Sequence, residues 1–478
     1  MQAVYESTVF VYGVILLIIY ALLAIMSFVA IKIYRRRSSL ASYENMLGSP
    51  LTPGISVIAP AYNEGLSIIQ NVRSLLTLNY PKFEVVLVND GSTDNSLLQL
   101  IEAFEMEKVD YAYSIKIRCQ KIKGVYKSRN SAYSRLIVID KVNGKSKADA
   151  SNAGINVASY DYFVCTDVDC ILSKDTLLKL IKPVTEEPSK RVIAAGATLR
   201  IANSCDIEEG VILRMRPPRK LLPRFQEMEY IRAFVLGKMG WSLINCVPNV
   251  SGGLGLFDKE VAIKAGGYDA QSFGEDMELM VRMSRYAYDN QIDYAIRYIP
   301  ETLCWTEAPN TVKIFMRQRT RWARGLAQLM YAHKGMLFNP RYGKAGWVLM
   351  PYNFFFELLA PLVELTGIVY YIVQLCRGEI NPEYAILLLV FVYMYSIMIT
   401  TIAILWDQLA FRHYKSFREV LLLCTTPFLE FLLYHPMIVL FSIRGYYYFL
   451  TGKKHSWGNM QRQGFGNTTV QRKVAVQQ

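Results

Sequence analysis

The sequence predicts an α/β domain on a mostly parallel sheet, joined to an α-helical membrane region. Three observations carry this. From Ile55 onward, short β-rich apolar runs alternate with turn residues and helical periods. Residues 9–31, "VFVYGVILLIIYALLAIMSFVAI", are uncharged and long enough, at about 1.5 Å per residue, to cross a hydrocarbon core of roughly 30 Å. The chain has 478 residues, 52% of them hydrophobic, and a net charge of +13, with its Lys and Arg gathered beside apolar spans rather than on one periodic face. That placement sets nucleic acid aside as a partner, because the aromatic residues also fall mostly in apolar spans instead of alternating with Lys and Arg.

At the N-terminus, "KIYRRR" comes directly after the first apolar run. A signal peptide carries its charge before the run and small residues after it, so residues 1–34 are expected to be an uncleaved anchor, with the chain cytoplasmic from residue 35. The cytoplasmic domain, residues 50–312, follows. "ISVIAPAYNEG" leads to a helix at about 65–78, "FEVVLVNDGSTD" to one at about 94–106, "RLIVIDKVNGKSKADASNAG" to one at about 147–158, and "YDYFVCTDVDC" to one near 173–181. In sheets of this kind ligands sit at the carboxyl ends of the strands. Here those ends carry Tyr62, Asn63 and Glu64; Asn89, Asp90 and Asp94; Lys147, Asp149 and Asn152; and Asp167 with Asp169. Turn and cap chemistry is an equal account of Asp94 and Ser96. Four successive strands ending this way point to a polar site.

Asp167 and Asp169 are one residue apart, so on an extended chain they would face opposite ways and converge only if the strand ends between them. A hard divalent ion takes one or two protein carboxylates when phosphates supply its other ligands, which suits a metal–diphosphate complex. "NVSGGLGLF" at 249–257 lacks the Lys of a phosphate-binding P-loop, so its glycines indicate close backbone approach or a β-bend. Glu275 and Asp276 precede a helical period, either as favourable charges at a helix N-terminus or as a base for a hydroxyl nucleophile. In "RQRTRWARG", Gln318, Arg321 and Trp322 share one helical face. That segment, 313–342, is expected to be an interfacial amphipathic helix offering an amide, a guanidinium and an indole to a sugar phosphate.

Residues 343–450 form the C-terminal membrane region, with apolar spans near 346–375 and 384–406 around "CRGEINP". Residues 419–450 carry Pro427, Glu430, His435 and Pro436 and read either as one kinked span or as a hairpin or two short crossings. The basic tail 451–478 favours the second, which keeps it cytoplasmic. The eight cysteines show no C-x-x-C pair, indicating neither a zinc site nor a disulfide framework. The four histidines lie outside the motif loops.

"PAYNE", "VNDGSTD", "KADASNAG", "TDVD", "GED" and "QRTRW", in this order and flanked by membrane spans, resemble the family-2 inverting glycosyltransferases, within them the membrane-embedded polysaccharide synthases of the cellulose, hyaluronan, chitin and poly-N-acetylglucosamine type. The resemblance implies a GT-A fold in a multi-pass cell-membrane protein, with its catalytic domain cytoplasmic. It implies a processive hexosyltransferase that polymerises a UDP-sugar, UDP-N-acetylglucosamine or UDP-glucose, into a β-linked polysaccharide and passes it outward. By the family pattern Tyr62, Glu64 and Asp90 contact the nucleoside, and Lys147 the diphosphate. Asp167 and Asp169 hold uridine diphosphate through Mg²⁺ or Mn²⁺. Asp276 is the general base with Glu275 beside it, and Gln318, Arg321 and Trp322 line the acceptor site and diphosphate. Trp457-Gly458 is similar to the gating-loop motif of hyaluronan and chitin synthases, with an interfacial anchor as the alternative. The spread form "GKSKADASNAG" leaves the phosphate role to Lys145 or Lys147, and "GEDMELMVRM" departs from the cellulose and poly-N-acetylglucosamine forms, so the sugar stays open. The implied partners are the donor, the growing glycan and the lipid bilayer, with room for an accessory export or regulatory protein. A non-processive transferase adding one sugar to a lipid or oligosaccharide, and a catalytically silent channel subunit, are the competing readings.

Overall fold

The computed structural model describes residues 2–40, 43–208 and 210–453. Among them, strands β1 (Ile55–Ala61), β2 (Phe83–Asn89), β3 (Met106–Val109), β4 (Ile122–Ser128), β5 (Leu136–Lys141), β6 (Tyr162–Thr166), β7 (Ile171–Leu172), β8 (Arg191–Ile201), β9 (Asp206–Glu208), β10 (Val211–Arg214), β11 (Leu254–Asp258) and β12 (Tyr294–Thr306) form two sheets. The larger runs β3-β4-β5-β2-β1-β6-β11-β8-β12-β7, and β9 pairs with β10. β1, β2 and β5 are Val- and Ile-rich and buried along their whole length apart from Pro60, as expected for strands covered on both faces.

The predicted helices appear at Ile68–Leu76, Ser96–Ala103, Lys147–Val157 and Thr176–Glu186. The small residues of "KADASNAG" have a packing reason. A Cβ on Gly154 would stand 2.4 Å from Ile58 Cγ2 and 3.3 Å from Val88 Cγ2, so this helix presses on β1 and β2.

The sheet is mixed where a mostly parallel one is expected. β5, β2, β1 and β6 are parallel, but β11 runs antiparallel to both β6 and β8. The reason is its point of entry. β11 begins beside Thr166, at the carboxyl end of β6, coming from the loop that holds Gly252 and Gly253 rather than from a crossover helix. The reversal therefore lays that loop along the polar edge.

The sequence reading passed over one long helical stretch, Leu221–Ile231 continuing through a wide π turn, Arg232–Lys238, to Met239–Leu243. Its charges interrupt every apolar period. They are satisfied in three dimensions: Glu227 binds the fully buried Arg200 at 2.9 Å, Glu229 binds Arg319 at 2.5 Å, and Arg232 binds Glu430 at 2.8 Å. The stretch packs on the first apolar helix, where Ser27 Oγ donates to the Val235 carbonyl at 2.5 Å.

Among the described residues, four helices are long and apolar enough to cross a membrane: Tyr5–Arg37, Ala345–Arg377, Ala385–Phe411 and Phe417–Leu450. The first three match the expected spans. The last is interrupted at Pro427 and by a wide turn at Glu430–Tyr434, as a missing N–H and a π turn would cause. Along its course it stays tied to the sheet domain and the helices flanking it. Glu419 accepts from Arg214 at 3.0 Å, Glu430 meets Arg232, Tyr434 donates to Glu229, and the Lys453 carbonyl accepts from Arg324 at 2.8 Å.

Candidate active site

The first two loops at the carboxyl edge are knitted together. Asn63 adopts a left-handed φ of 56°, and its Oδ1 accepts from Thr93 N at 2.8 Å. Asp94 accepts from Gly65 N at 3.0 Å and from Ser96 N and Oγ at 3.0 and 2.5 Å. Burial pushes Asp94 up, but these hydrogen bonds prevail and hold its carboxyl below the usual range. Asp94 thus makes a local turn bond to Ser96 and, beyond the turn role read from the sequence, joins the first two loops through Gly65. Ser96 Oγ also accepts from the Glu64 amide at 3.1 Å, and Tyr62 stays 39% exposed at the edge. Asp90 is buried, pairs with Lys141 and accepts from Gly144 N at 3.0 Å. Lys141 is fully enclosed and also meets Asp149 at 2.6 Å, so the second and third loops share one buried cation. Nothing in the sequence marked Lys141.

Lys147 opens the Lys147–Val157 helix, which Ser146 caps by accepting from Ala148 N at 3.2 Å. Its Nζ lies 2.5 Å from Asp167 Oδ1 and donates to the Gly252 carbonyl at 2.5 Å. Burial works against the ammonium, yet the charge of Asp167 outweighs it and holds the lysine above its ordinary range. Lys147, rather than Lys145, is therefore the lysine beside the acidic pair. Lys145 is exposed, on a left-handed φ of 57° with its amide on Asn143 Oδ1 at 2.6 Å.

The Asp-x-Asp pair converges as the sequence required. β6 stops at Thr166, and Cys170 N donates to the Asp167 carbonyl at 3.0 Å, closing a turn. Ligand atoms of Asp167, Asp169 and Cys170 all lie within 4.8 Å of one another. Gly253 packs against this turn: a Cβ there would lie 2.9 Å from Leu199 Cδ2, 3.5 Å from Cys170 Sγ and 3.9 Å from Asp167 Oδ2. Two carboxylates brought together by a turn fit a divalent ion that also takes phosphate oxygens.

The glycine loop comes close to both acidic groups. A Cβ on Gly252 would lie 3.5 Å from Asp276 Oδ2, while Gly253 faces Asp167. Glu275 and Asp276 head the Glu275–Asp289 helix. Burial and then the charge of Asp276 push the Glu275 carboxyl up, with Arg321 and Lys147 acting against them. The predicted helix carrying Gln318, Arg321 and Trp322 runs from Val312 to Ala332. It touches the acidic helix through glycine: a Cβ on Gly325 would stand 2.6 Å from Gly274 N. Gln318 Oε1 is buried with no hydrogen-bond partner among the described residues, and Trp322 is 37% exposed beneath the Arg319 guanidinium, 4.4 Å from its ring. Lys238, another residue the sequence did not mark, lies buried with Nζ 4.4 Å from the Phe234 ring centre and 5.7 Å from that of Tyr298. Burial lowers its pKa to about 7, against the raising influence of Asp276. Trp457 lies outside the described residues.

Residues 56–198 match the family profile Glycosyl transferase family 2, and residues 221–450 match Glycosyl transferase family group 2. These two segments are family-2 glycosyltransferase domains. Among its curated relatives, the poly-beta-1,6-N-acetyl-D-glucosamine synthase of Staphylococcus epidermidis is 26% identical over 272 residues, 57% of this chain and 54% of that protein. The synthase of the same name from Staphylococcus aureus strain COL is 27% identical over the same shares. The chain thus spans about half the length of the curated relatives it matches. Among solved structures, a mannosyltransferase from Pyrobaculum calidifontis in complex with GDP-Man and Mn²⁺ is 18% identical with a TM-score of 0.48, covering 91% of this chain and 99% of that one. Glucosyl-3-phosphoglycerate synthase from Mycobacterium tuberculosis, in complex with Mn²⁺, UDP and glucosyl-3-phosphoglycerate, is 15% identical with a TM-score of 0.37, covering 61% and 84%.

Proposed function

We propose that this protein is a processive, inverting hexosyltransferase that extends a β-linked polysaccharide from a UDP-sugar and passes it across the membrane. UDP-N-acetylglucosamine is the donor we favour, by analogy with the named activity of the relatives. One observation carries the reading: the side-chain-free strip Gly252–Gly253 borders Asp276, Asp167 and Lys147 together, with the Lys147 ammonium donating to the Gly252 carbonyl at 2.5 Å. Inverting transfer needs these two chemistries on opposite sides of a sugar, a base for the incoming hydroxyl and positive charge for the departing diphosphate.

In this scheme Tyr62, Glu64 and Asp90 receive the nucleoside at the knitted first loops. Lys147 and Arg321 meet the charge that develops on the diphosphate as the anomeric C–O bond breaks. Asp276 takes the proton of the acceptor hydroxyl, and a single displacement needs no protein nucleophile. Gln318, with its unsatisfied buried carbonyl oxygen, and Trp322 seat the acceptor. Asp167 and Asp169 would hold a divalent ion, which would supply positive charge towards the leaving diphosphate.

The basic residues after the first apolar helix support a multi-pass protein whose sheet domain is cytoplasmic. The ties of residues 419–453 to that domain support a re-entrant or interfacial course for the last helix, with the tail on the cytoplasmic side. The test is UDP release by detergent-purified protein with Mg²⁺ or Mn²⁺ over a panel of UDP-sugars, beside Asp276→Asn. Release with one donor, long polymer, and loss of both in the variant is the expected result. Release without polymer would point to single addition, and no release with any donor would refute the enzyme reading.

A further inference from the structure

We propose that Lys238 is the proton acceptor behind the base: once Asp276 has taken the proton of the acceptor hydroxyl, it passes that proton to the Lys238 amine. The proposal rests on the reading of Asp276 as the base.

Lys238 closes the π turn Arg232–Lys238, is only 8% exposed, and makes no ion pair among the described residues. Buried lysines are ordinarily paired, because an ammonium out of water is costly. Here Nζ has instead two ring faces, Phe234 at 4.4 Å and Tyr298 at 5.7 Å, and one carbonyl, Val250 at 3.5 Å, the outer limit of a hydrogen bond. That carbonyl opens the glycine loop. Two residues on, the Gly252 carbonyl accepts from Lys147 at 2.5 Å, and a Cβ on Gly252 would lie 3.5 Å from Asp276 Oδ2. Two lysines thus hold one short loop, and the carboxylate read as the base stands against it.

Lys147 is committed to Asp167, whereas Lys238 is free to move. Its flexible four-carbon stem lets Nζ leave the long Val250 contact and turn towards Asp276, whose charge already acts on it. The titratable groups facing Nζ are Asp276 from the Glu275–Asp289 helix and Tyr298 from β12. Tyr298 donates its hydroxyl to the Ala197 carbonyl at 2.7 Å, and burial holds its pKa well above the usual range, so it stays neutral. Sugar transfer breaks the acceptor O–H bond and leaves the proton on an Asp276 oxygen, which must be cleared before the next sugar. In the step proposed, that carboxyl O–H bond breaks, the lysine lone pair forms the new N–H bond, and a carboxylate is left facing an ammonium. The ammonium gives its proton to water when UDP leaves. Burial lowers the Lys238 pKa to about 7, so at neutral pH much of the amine carries the free lone pair that the step requires.

The experiment measures kcat for UDP release by full-length protein in detergent, at saturating donor, from about pH 5.5 to about pH 8.5. The wild type is compared with Lys238→Met, Lys238→Arg and Asp276→Asn. Wild-type kcat should rise with pH along a limb centred near 7. Lys238→Met keeps the bulk and removes the amine; it should lower kcat roughly 10- to 100-fold, abolish that limb and leave donor KM within about twofold. Lys238→Arg keeps a charge that cannot be given up, so it should not restore the rate. A wild-type profile without the limb overturns the proposal, and so does a limb that persists in Lys238→Met, native kcat in that variant, or rescue by arginine. Activity retained in Asp276→Asn would overturn the base reading itself, whereas an inactive Asp276→Asn beside an unaltered Lys238→Met profile removes Lys238 alone.

Discussion

Gly325→Ala tests whether the contact between the Val312–Ala332 and Glu275–Asp289 helices sets the catalytic geometry. An added methyl would lie 2.6 Å from Gly274 N, 2.9 Å from the Phe273 carbonyl carbon and 3.0 Å from Gly274 Cα, all backbone atoms that no rotamer change can clear. Restoring an ordinary separation of about 3.5 Å requires the helices to part by close to ~1 Å. For stability, overpacking costs about 1–3 kcal/mol, and replacing glycine inside a helix returns roughly 0.5–1 kcal/mol. The net loss is at most about 2.5 kcal/mol, which a folded protein tolerates. For activity, the displaced groups are Glu275 and Asp276 on one side and Gln318, Arg321 and Trp322 on the other, and a misplacement of this size costs up to about 100-fold. The assay is steady-state UDP release together with UDP binding by calorimetry. We expect kcat to fall ~10- to 100-fold while UDP affinity stays within about threefold, because Lys147 and Asp167 lie outside the perturbed contact. Gly335→Ala, where a Cβ meets nothing within 4 Å, is the control and should be silent. Native kcat in Gly325→Ala would refute the claim that this contact positions the base.

Further outcomes follow from the buried charges. Arg200→Met strands Glu227 and Asp407, both 1% exposed, and should destabilise by about 3–5 kcal/mol, read as lost folded yield or a lower Tm in detergent. Lys147→Ala should weaken UDP binding at least tenfold, while Lys145→Ala changes it little; calorimetry in the presence of Mn²⁺ distinguishes them. Lys238 is held at about 7 against 10.5 for an exposed lysine, so between those pH values the unfolded chain binds the extra proton. Its burial therefore costs on the order of 5 kcal/mol at low pH, and that cost disappears as pH rises towards 10.5. Lys238→Met should raise Tm at pH 6, with the advantage shrinking steadily by pH 10; a constant difference across that range would refute the assignment.

The contrast between what was legible and what was not follows the range of the interactions. The strand–loop–helix order, the turn at Asp167–Cys170 and the helix of Gln318, Arg321 and Trp322 were readable because periods of 2 and 3.6 residues, turn residues and caps act over a few neighbours. The Leu221–Leu243 helix escaped because its charges look solvated in sequence and are instead neutralised by Arg200, Arg319 and Glu430, each distant along the chain. The last apolar segment could not be assigned from composition, since its course is fixed by Arg214 and Arg324.

By itself, then, the sequence determined the fold class, the apolar helices, the acidic turn and the glycosyltransferase family. Tertiary structure alone decided that β11 reverses, that Gly252 and Gly253 consequently come close to Asp276 and Asp167, that Lys147 rather than Lys145 meets Asp167, and that Lys238 is buried within reach of the charge of Asp276. The physical reason is that each of these depends on which distant segment fills a given space. Close packing and the pairing of buried charge settle that choice across the whole molecule at once.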